Sequence, residues 1–272
     1  MQSPYLCIIS AWLFCWPGAF AATGQAPCPR ATLPAYAHND YLNPHPLDDA
    51  LRLGFRGVEA DVFLVDGKLR LGHDVRGARH GATLETQYLK PLQAIVARCP
   101  VLAGDGRPFL LAIELKQPAA AVYDSLLSLL GRYRDLFTTP SGRMQASPPA
   151  EVALVGWHPS LQTLRFETDG LVRLQHHMSS PDDIAAASNP WVRLVSIDYG
   201  KTIGRLPGTS PARQRWLAAV RAVKRVSPNT LVRVHNLPAD GALYAALLTA
   251  GVDLIGTREL ERSRRILLGR LR

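Results

Sequence analysis

Two segments of the chain each carry charged residues spaced two apart. Glu59 and Asp61 alternate with apolar residues, and Glu114 and Lys116 follow the apolar run 109–113. Side chains two residues apart share one face of a β-strand, so each pair would project together. The ordinary explanations are an exposed strand face for the first pair and a plain Glu–Lys ion pair for the second. Buried charges are costly unless they are paired, so burial would instead indicate a function.

Three of these side chains together would form an oxygen-rich metal site. Carboxylates such as Glu59, Asp61 and Glu114 are ligands that Mg²⁺ and Ca²⁺ prefer. Carboxylates held side by side also repel each other unless a cation lies between them. No Cys/His spacing typical of zinc occurs in the sequence. We therefore predict one divalent cation, Mg²⁺ or Ca²⁺, at this cluster.

Two histidines could supply acid–base chemistry beside that cluster. His38 ends one predicted strand, and His73 closes another. A lone histidine in such a place is more often structural, but two histidines paired across a metal are acid and base candidates near neutral pH. This set suits in-line displacement at phosphorus, in which one histidine deprotonates the nucleophile and the other protonates the leaving oxygen. The metal and Lys116 would then hold the non-bridging oxygens.

Apolar, β-rich segments alternate with amphipathic segments along the chain. We predict strands at 36–39, 57–65, 68–73, 109–116, 151–157, 171–175, 194–199, 230–235 and 253–257, and helices at 47–53, 84–97, 119–133, 161–166, 211–223, 241–250 and 258–272. The alternation predicts a parallel sheet, and eight or so units in roughly 250 residues favour a single TIM (β/α)8 barrel of the α/β class. An Asp-Gly turn predicts a hairpin at 65–68, and 138–150 and 204–213 are expected to be surface loops. Catalytic groups of such barrels lie at the C-terminal ends of strands.

The composition excludes several classes of protein. The chain has 272 residues, of which 47% are hydrophobic and 19% charged, and it contains four cysteines. These values exclude a disordered chain, a coiled coil and a disulfide-built miniprotein. The formal net charge of +9 favours anionic partners of some kind.

The N-terminal segment is predicted to be a signal peptide. Residues 5–20 are apolar and uncharged, and a small-x-small pattern ends at Ala21. No Lys or Arg precedes this run, so a retained N-terminal anchor is the alternative. Cleavage after Ala21 would export a single-domain barrel, residues 22–272, to the periplasm or the medium. Cys28 and Cys99 would remain, and we expect them to form a disulfide there, with two unpaired thiols as the alternative.

Motifs between residues 38 and 257 resemble the glycerophosphodiester phosphodiesterase family, within the PI-PLC-like phosphodiesterases. They are His-Asn-Asp-Tyr at 38–41, Pro-Leu-Asp-Asp-Ala-Leu at 46–51, Val-Glu-Ala-Asp-Val at 58–62, Gly-His-Asp at 72–74, Ile-Glu-Leu-Lys at 113–116 and Gly-Val-Asp-Leu-Ile-Gly-Thr at 251–257. The resemblance implies a TIM barrel that hydrolyses phosphodiesters with a divalent metal. It implies the following roles: acid and base for His38 and His73, metal ligands for Glu59, Asp61 and Glu114, and phosphate contact for Lys116.

The chain departs from the family pattern near the substrate. Asn39 stands where the family has an arginine that contacts phosphate, and we expect Arg233 to supply the lost charge. His235 stands where the family often has Trp, and Arg258 where it has Asp. Asn39, Arg233 and Asp198 are therefore candidate substrate contacts, and the head group stays open.

Further histidines could line the mouth of the barrel. We expect each of them to be an ordinary loop or strand-end residue: His45, His158, His176 and His177.

Three functions fit these observations. The first is an exported, metal-dependent phosphodiester hydrolase that acts on glycerophosphodiesters or phospholipid head groups. The second is a sphingomyelinase-D-like enzyme that uses the substrate's own hydroxyl and releases a cyclic phosphate. The third is a non-catalytic barrel that binds anionic lipid through its positive charge. A solvated helix face is the ordinary explanation of the arginine-rich segment 258–272, and peripheral contact with an anionic membrane is the alternative. No nucleic acid is expected as a partner.

Overall fold

The computed structural model of the protein describes residues 28–137, 148–160, 171–208 and 210–269. The predicted signal peptide and the predicted helix at 161–166 lie outside the described residues, as does most of the loop predicted at 138–150.

Eight parallel strands close into a barrel. The sheet contains these eight strands and one antiparallel strand, β3: β1 (Leu33–Ala37), β2 (Phe55–Val65), β3 (Lys68–Leu71), β4 (Phe109–Leu115), β5 (Ala150–Gly156), β6 (Arg173–His177), β7 (Val192–Asp198), β8 (Leu231–His235) and β9 (Leu254–Thr257). Their order around the barrel is β1-β2-β4-β5-β6-β7-β8-β9, and β9 pairs with β1 to close it. β3 runs antiparallel to β2 across the predicted Asp-Gly turn. The predicted TIM barrel is confirmed.

Helices follow most of the strands. They are α1 (Asp48–Arg52), α2 (Val75–His80), α3 (Lys90–Arg98), α4 (Ala120–Gly131), α5 (Pro211–Val226), α6 (Gly241–Thr249) and α7 (Leu260–Leu268). The sequence did not predict α2, because this helix buries only Ala78 and so shows no apolar periodicity. Instead, the Asp74 side chain begins this helix by accepting a hydrogen bond from the Gly77 N–H at 2.7 Å. The helix predicted at 84–97 contains a wide π-helical turn, Glu85–Leu89, before α3 begins.

Side chains of the strands alternate between the barrel interior and the helix layer. Along β4, Leu110 and Ala112 belong to a small buried cluster with Tyr36 of β1, whereas Leu111 and Ile113 belong to the large core beneath the helices. Register pairing sets Glu59 beside Ala112. Because neighbouring parallel strands in register present the same face, Glu59 and its i+2 partner point into the barrel rather than toward the helices.

The segment before β1 is tied to the segment before β4. Cys28 and Cys99 form a disulfide, as predicted, with their Cα atoms 5.5 Å apart. A backbone bridge between Ala31 and Ala103 follows it. Both features lie before the N-terminal ends of their strands, so they reinforce the face of the barrel opposite the strand C-termini. Within the described ranges, no helix combines the length and the apolar character needed to cross a membrane.

Candidate active site

Three carboxylates meet at the C-terminal ends of β2 and β4. Register pairing sets Asp61 directly beside Glu114. Glu59 is 2% exposed and Asp61 is fully buried, whereas Glu114 is partly exposed. One oxygen from each of the three lies within 4.8 Å of the others. Glu59 and Asp61 therefore do not lie on an exposed strand face. Together with Glu114 they form a cluster of like charges.

The chemistry of these oxygens fits a hard divalent cation. Asp61 Oδ2 accepts a hydrogen bond from the Tyr41 hydroxyl at 2.9 Å, but Asp61 Oδ1 is buried with no hydrogen-bond partner among the described residues. Burial, together with the charges of Glu114 and Glu59, raises the pKa of Asp61 to about 7. A buried oxygen without a donor costs about 1–3 kcal/mol. A cation between the three carboxylates would satisfy that oxygen and offset the repulsion.

Lys116 belongs to the same cluster. Its Nζ lies 3.1 Å from Glu114 Oε1 and 3.4 Å from Asp61 Oδ2. Burial lowers the pKa of Lys116, but the two carboxylates outweigh burial and raise it above the ordinary value. The Glu–Lys ion pair is thus present, as one part of a larger arrangement. Gly156, at φ 74°, leaves the space that Glu114 needs, since a Cβ there would lie 3.2 Å from Glu114 Cγ.

A buried arginine forms an ion pair with Glu59. Arg233 is 2% exposed, and its Nη1 donates to Glu59 Oε2 at 2.5 Å. The Tyr36 hydroxyl donates to the same oxygen at 3.0 Å, and the guanidinium lies 4.6 Å from the Tyr36 ring centroid. Burial alone would raise the pKa of Glu59, but Arg233 lowers it below the ordinary value. The carboxylate is therefore ionised, with Oε1 left free for a cation.

The remaining donors of Arg233 are also engaged. Its Nε and Nη2 donate to Ser196 Oγ at 3.0 and 2.9 Å, and Nη2 donates to Gln175 Oε1 at 3.0 Å. The structure thus shows Arg233 fixing Glu59. Its predicted contact with substrate phosphate stays a prediction.

The two predicted acid–base residues line one cavity. His38 follows β1, and its Nε2 lies 3.9 Å from Glu59 Oε1. The hairpin formed by β2 and β3 brings His73 back to the same mouth, where the Gly72 N–H donates to the Asp61 carbonyl at 3.2 Å. His73 is exposed to solvent. The hairpin is thus the element that sets the second histidine beside the carboxylates.

The His38 imidazole is neutral at neutral pH. Burial lowers its pKa, Glu59 opposes this effect, and Arg233 and Arg258 reinforce it. The ring of His235 meets it edge-on, with centroids 5.3 Å apart. Burial and Arg233 lower the pKa of His235 to about 3, so this second ring is also neutral. A neutral imidazole can accept a proton, which fits His38 to the role of general base.

The cavity above the carboxylates has a volume of about 720 Å³. The predicted site residues that line it are His38, Asn39, Glu59, His73, Glu114, Asp198 and Arg233. Sequence reasoning did not include several others that line it among the site residues: His158, His176, His177, Lys201, His235, Asn236 and Arg258. Three of the missed histidines had been expected to be ordinary loop or strand-end residues. Their position in the sequence could have indicated a place in the site, because they lie at or just after the C-terminal ends of β5 and β6.

Asp198 joins two of the loops around the mouth. It ends β7, is 3% exposed, and accepts hydrogen bonds from Asn236 Nδ2 at 3.0 Å and from the Lys201 N–H at 3.1 Å. Burial would raise the pKa of Asp198, but these donors lower it below the ordinary value. Its Oδ2 is 4.0 Å from His235 Nε2, which is no ion pair because His235 is neutral.

The loop after β1 depends on Asp40. This fully buried carboxyl accepts hydrogen bonds from the Leu47 N–H at 2.7 Å, from the Tyr88 hydroxyl at 3.0 Å and from Asn43 Nδ2 at 3.0 Å. Leu47 has φ 68° and Asn39 has φ 52°, both in the left-handed region. Asp40 thus supports the strained turn that carries the first histidine.

We expect the buried Asp40 carboxyl to make the free energy of unfolding depend on pH. Burial raises its pKa from 3.8 to about 6 in the folded protein. Folding therefore favours the protonated carboxyl. Its contribution to the free energy of unfolding is fully present below pH 3.8 and is lost as the pH rises through 6. Asp40→Asn keeps the shape, and a flipped Asn43 amide can restore the third hydrogen bond. The unfolding free energy of the variant minus that of the wild type should rise by about 1–3 kcal/mol from pH 4 to pH 7.5. Urea unfolding in EDTA measures this, and an equal difference at both pH values would contradict it.

Comparison with known proteins gives this site a family context. Residues 30–143 match the family model of the AIM6-like phosphodiesterase domain. A curated relative, the Altered inheritance of mitochondria protein 6 homolog of Arthroderma benhamiae, is 25% identical over 145 residues, which cover 46% of each protein. The chain therefore spans about half the length of the curated relative that it matches.

Solved structures with the same fold cover nearly the whole chain. A mutant tryptophan synthase α-subunit from Pyrococcus furiosus is 14% identical and covers 88% of this chain and 98% of its own, with a TM-score of 0.54. A phosphodiesterase from Oleispira antarctica, in complex with the product sn-glycerol-3-phosphate, is 12% identical and covers 86% and 96%, with a TM-score of 0.50. At these identities the likeness shows the TIM barrel alone.

The family match falls on the residues that carry the predicted chemistry. The matched range contains both predicted acid–base histidines, the three carboxylates and Lys116. It supports a phosphodiester hydrolase in general terms. Residues 30–143 of this TIM barrel thus match the AIM6-like phosphodiesterase domain, and the predicted resemblance to a phosphodiesterase family is confirmed over these residues.

Proposed function

We propose that the protein is a metal-dependent phosphodiester hydrolase that acts on glycerophosphodiesters or phospholipid head groups. The observation that carries this proposal is the buried carboxylate cluster, with the unpartnered Asp61 Oδ1, beneath a cavity that two histidines share. A merely structural acid cluster would have its buried oxygens paired with protein donors. For lipid substrates, the proposal includes peripheral contact with an anionic membrane through the arginines of α7.

The proposed residues divide the hydrolysis between them. Glu59 Oε1, Asp61 and Glu114 would hold the cation, which when bound withdraws charge from the phosphoryl oxygens. Lys116 Nζ, beside the same carboxylates, would hold a second non-bridging oxygen.

Two proton transfers complete the reaction. Neutral His38 takes the proton of the attacking water as the new bond from oxygen to phosphorus forms. His73 gives a proton to the alcohol oxygen as the ester bond from phosphorus breaks. The water oxygen thus becomes bonded to phosphorus, the alcohol leaves with the proton from His73, and His38 holds the proton from the water until exchange with solvent restores both histidines.

An attack by the substrate's own hydroxyl would use the same two histidines and give a cyclic phosphate. The Oleispira antarctica phosphodiesterase was solved with sn-glycerol-3-phosphate as its product, which favours the water step by analogy of fold. Phosphorus NMR of the products separates the two routes, because a cyclic ester that persists would show that the water step is absent.

Metal dependence provides the direct test. Hydrolysis of bis(p-nitrophenyl) phosphate should require Mg²⁺ or Ca²⁺ and stop in EDTA. Asp61→Asn should lower the activity at least about 100-fold and abolish calorimetric binding of the metal, since even outer-shell changes at metal sites lower affinity or activity about 10–100-fold. Asp182→Asn, an exposed acid paired with Arg215, is the matched control and should retain both. Activity that survives EDTA, or metal binding unchanged in Asp61→Asn, would overturn the proposal.

We also propose that the enzyme is exported. The disulfide between Cys28 and Cys99 supports this, because disulfides persist in oxidising compartments. Mass spectrometry of the protein recovered outside the cytoplasm should find a chain that begins after Ala21. A full-length chain retained with the cells would contradict it.

A further inference from the structure

We propose that the cavity wall facing the carboxylates is a cationic subsite, formed by Arg258 and Lys201 with Asn236 between them, that binds a second anionic group of the substrate. This inference rests on the proposed function and deepens it. The preferred substrate would be a phosphodiester whose alcohol group carries a phosphate or carboxylate, rather than one with an ammonium head group.

The strand order sets Lys201 across the barrel from the carboxylates, and Arg258 follows β9, the strand that pairs with β1. Around the closed sheet, β7 is the fourth strand from β2 in either direction. The carboxylates extend from β2 and β4, whereas Lys201, Asn236 and Arg258 follow β7, β8 and β9. All three line the same cavity as Glu59 and Glu114. A substrate bound at the carboxylates therefore extends toward the cationic subsite.

None of the residues that the structure describes neutralises the positive charge of Arg258. Its side chain is exposed and makes no hydrogen bond or ion pair with any of the residues that the structure describes. The adjacent acid, Glu259, binds Arg262 at 3.0 Å and lines a separate groove with it. Arg258 is therefore a guanidinium facing the cavity without a partner, and such a group suits a phosphate or carboxylate.

Lys201 adds to this charge. Its side chain is 73% exposed, and its Nζ lies 3.4 Å from Asp198 Oδ2. That carboxylate also accepts hydrogen bonds from Asn236 Nδ2 and from the Lys201 N–H, so its charge is shared among several donors. The flexible ammonium remains able to reach an anion in the cavity.

The same wall is unsuited to a quaternary ammonium group. Such cations are bound over the faces of Trp, Tyr or Phe. None of the described residues that line the cavity is Trp, Tyr or Phe. The cavity, at about 720 Å³, lies within the usual range of about 300–1,000 Å³ for small-molecule sites, so it has room for a group beyond the reacting phosphate.

The test compares three glycerophosphodiesters that differ in the head group: glycerol 3-phosphate, glycerol and choline. We expect kcat/KM to be highest for the anionic head group and lowest for choline, and 0.5 M NaCl to narrow the difference. In Arg258→Gln/Lys201→Gln, the ratio of kcat/KM between the anionic and the neutral substrate should fall at least tenfold. Arg215→Gln, which removes an exposed charge paired with Asp182 outside the cavity lining, should leave the ratio unchanged.

Binding measurements separate this inference from the proposed function. Calorimetry on His38→Ala should find tighter binding of the anionic diester than of the choline diester, and the double substitution should remove the difference. If no diester is hydrolysed, the proposed function fails and calorimetry alone decides on the cationic subsite. The inference would be overturned, while the proposed function stands, by either of two results. One is a kcat/KM for the choline diester that equals or exceeds that for the anionic diester. The other is an anionic-to-neutral ratio of kcat/KM that the double substitution leaves unchanged.

Discussion

Arg233→Met should lower the free energy of unfolding by about 3–5 kcal/mol, because it leaves the buried Glu59 carboxylate without its counter-charge. Both side chains are at most 3% exposed, so water cannot replace the guanidinium. The substitution also leaves Ser196 and Gln175 without their hydrogen-bond donor. Urea unfolding in EDTA measures the loss without any contribution from a bound metal.

Two further variants show whether burial of the pair is the cause. Arg233→Met combined with Glu59→Gln should cost clearly less than the sum of the two single substitutions, because no unpaired charge stays buried. Arg56→Met breaks a pair with the more exposed Asp105 and should cost about 1 kcal/mol or less. The explanation fails if Arg233→Met is no more harmful than Arg56→Met, or if the effects of the two buried substitutions simply add.

His38→Ala should lower kcat/KM for bis(p-nitrophenyl) phosphate by about 100- to 10,000-fold, the usual contribution of a general base. The fold should persist, since the imidazole lies at the cavity surface and its nearest charged partner, Glu59, remains bound to Arg233. Because the pKa of His38 is lowered from 6.5, the wild-type pH profile should retain activity below that value until His38 becomes protonated.

His80→Ala is the matched control for this prediction. His80 is exposed at the end of α2, away from the residues that line the cavity, and its loss should leave kcat/KM unchanged. Circular dichroism and the unfolding midpoint of both variants confirm that the fold is intact. More than a tenth of the wild-type activity in His38→Ala would remove His38 from the role of base.

Local patterns predicted the barrel and the carboxylates correctly. Continuous apolar runs such as 109–113 identify strands that are buried on both faces, and the Asp-Gly turn identifies the β2–β3 hairpin. The two-residue spacing of Glu59 and Asp61 then sets both carboxylates on one face, which is why the carboxylate cluster could be anticipated.

Contacts between distant parts of the chain could not be anticipated in this way. Glu59 and Arg233 are 174 residues apart, and only closure of the barrel brings them together. Sequence reasoning assigned Arg233 to the substrate phosphate, and it did not foresee the contacts of Arg233 with Glu59, Ser196 and Gln175. The hydrogen bond from Tyr41 to Asp61 was missed for the same reason, although Tyr41 belongs to the quoted His-Asn-Asp-Tyr motif.

The order of strands around the barrel has an evolutionary consequence. The proposed reacting groups come from β1, β2, β3 and β4, inside the range 30–143 that matches the phosphodiesterase family, whereas Lys201, Asn236 and Arg258 come from the second half of the chain. In the proposed mechanism, the residues that break and make the phosphorus–oxygen bonds are thus encoded apart from those that select the substrate. Mutation in the second half can retarget such a barrel while its first half stays unaltered, and chimaeras joined between β4 and β5 would exchange selectivity between relatives as a single heritable unit.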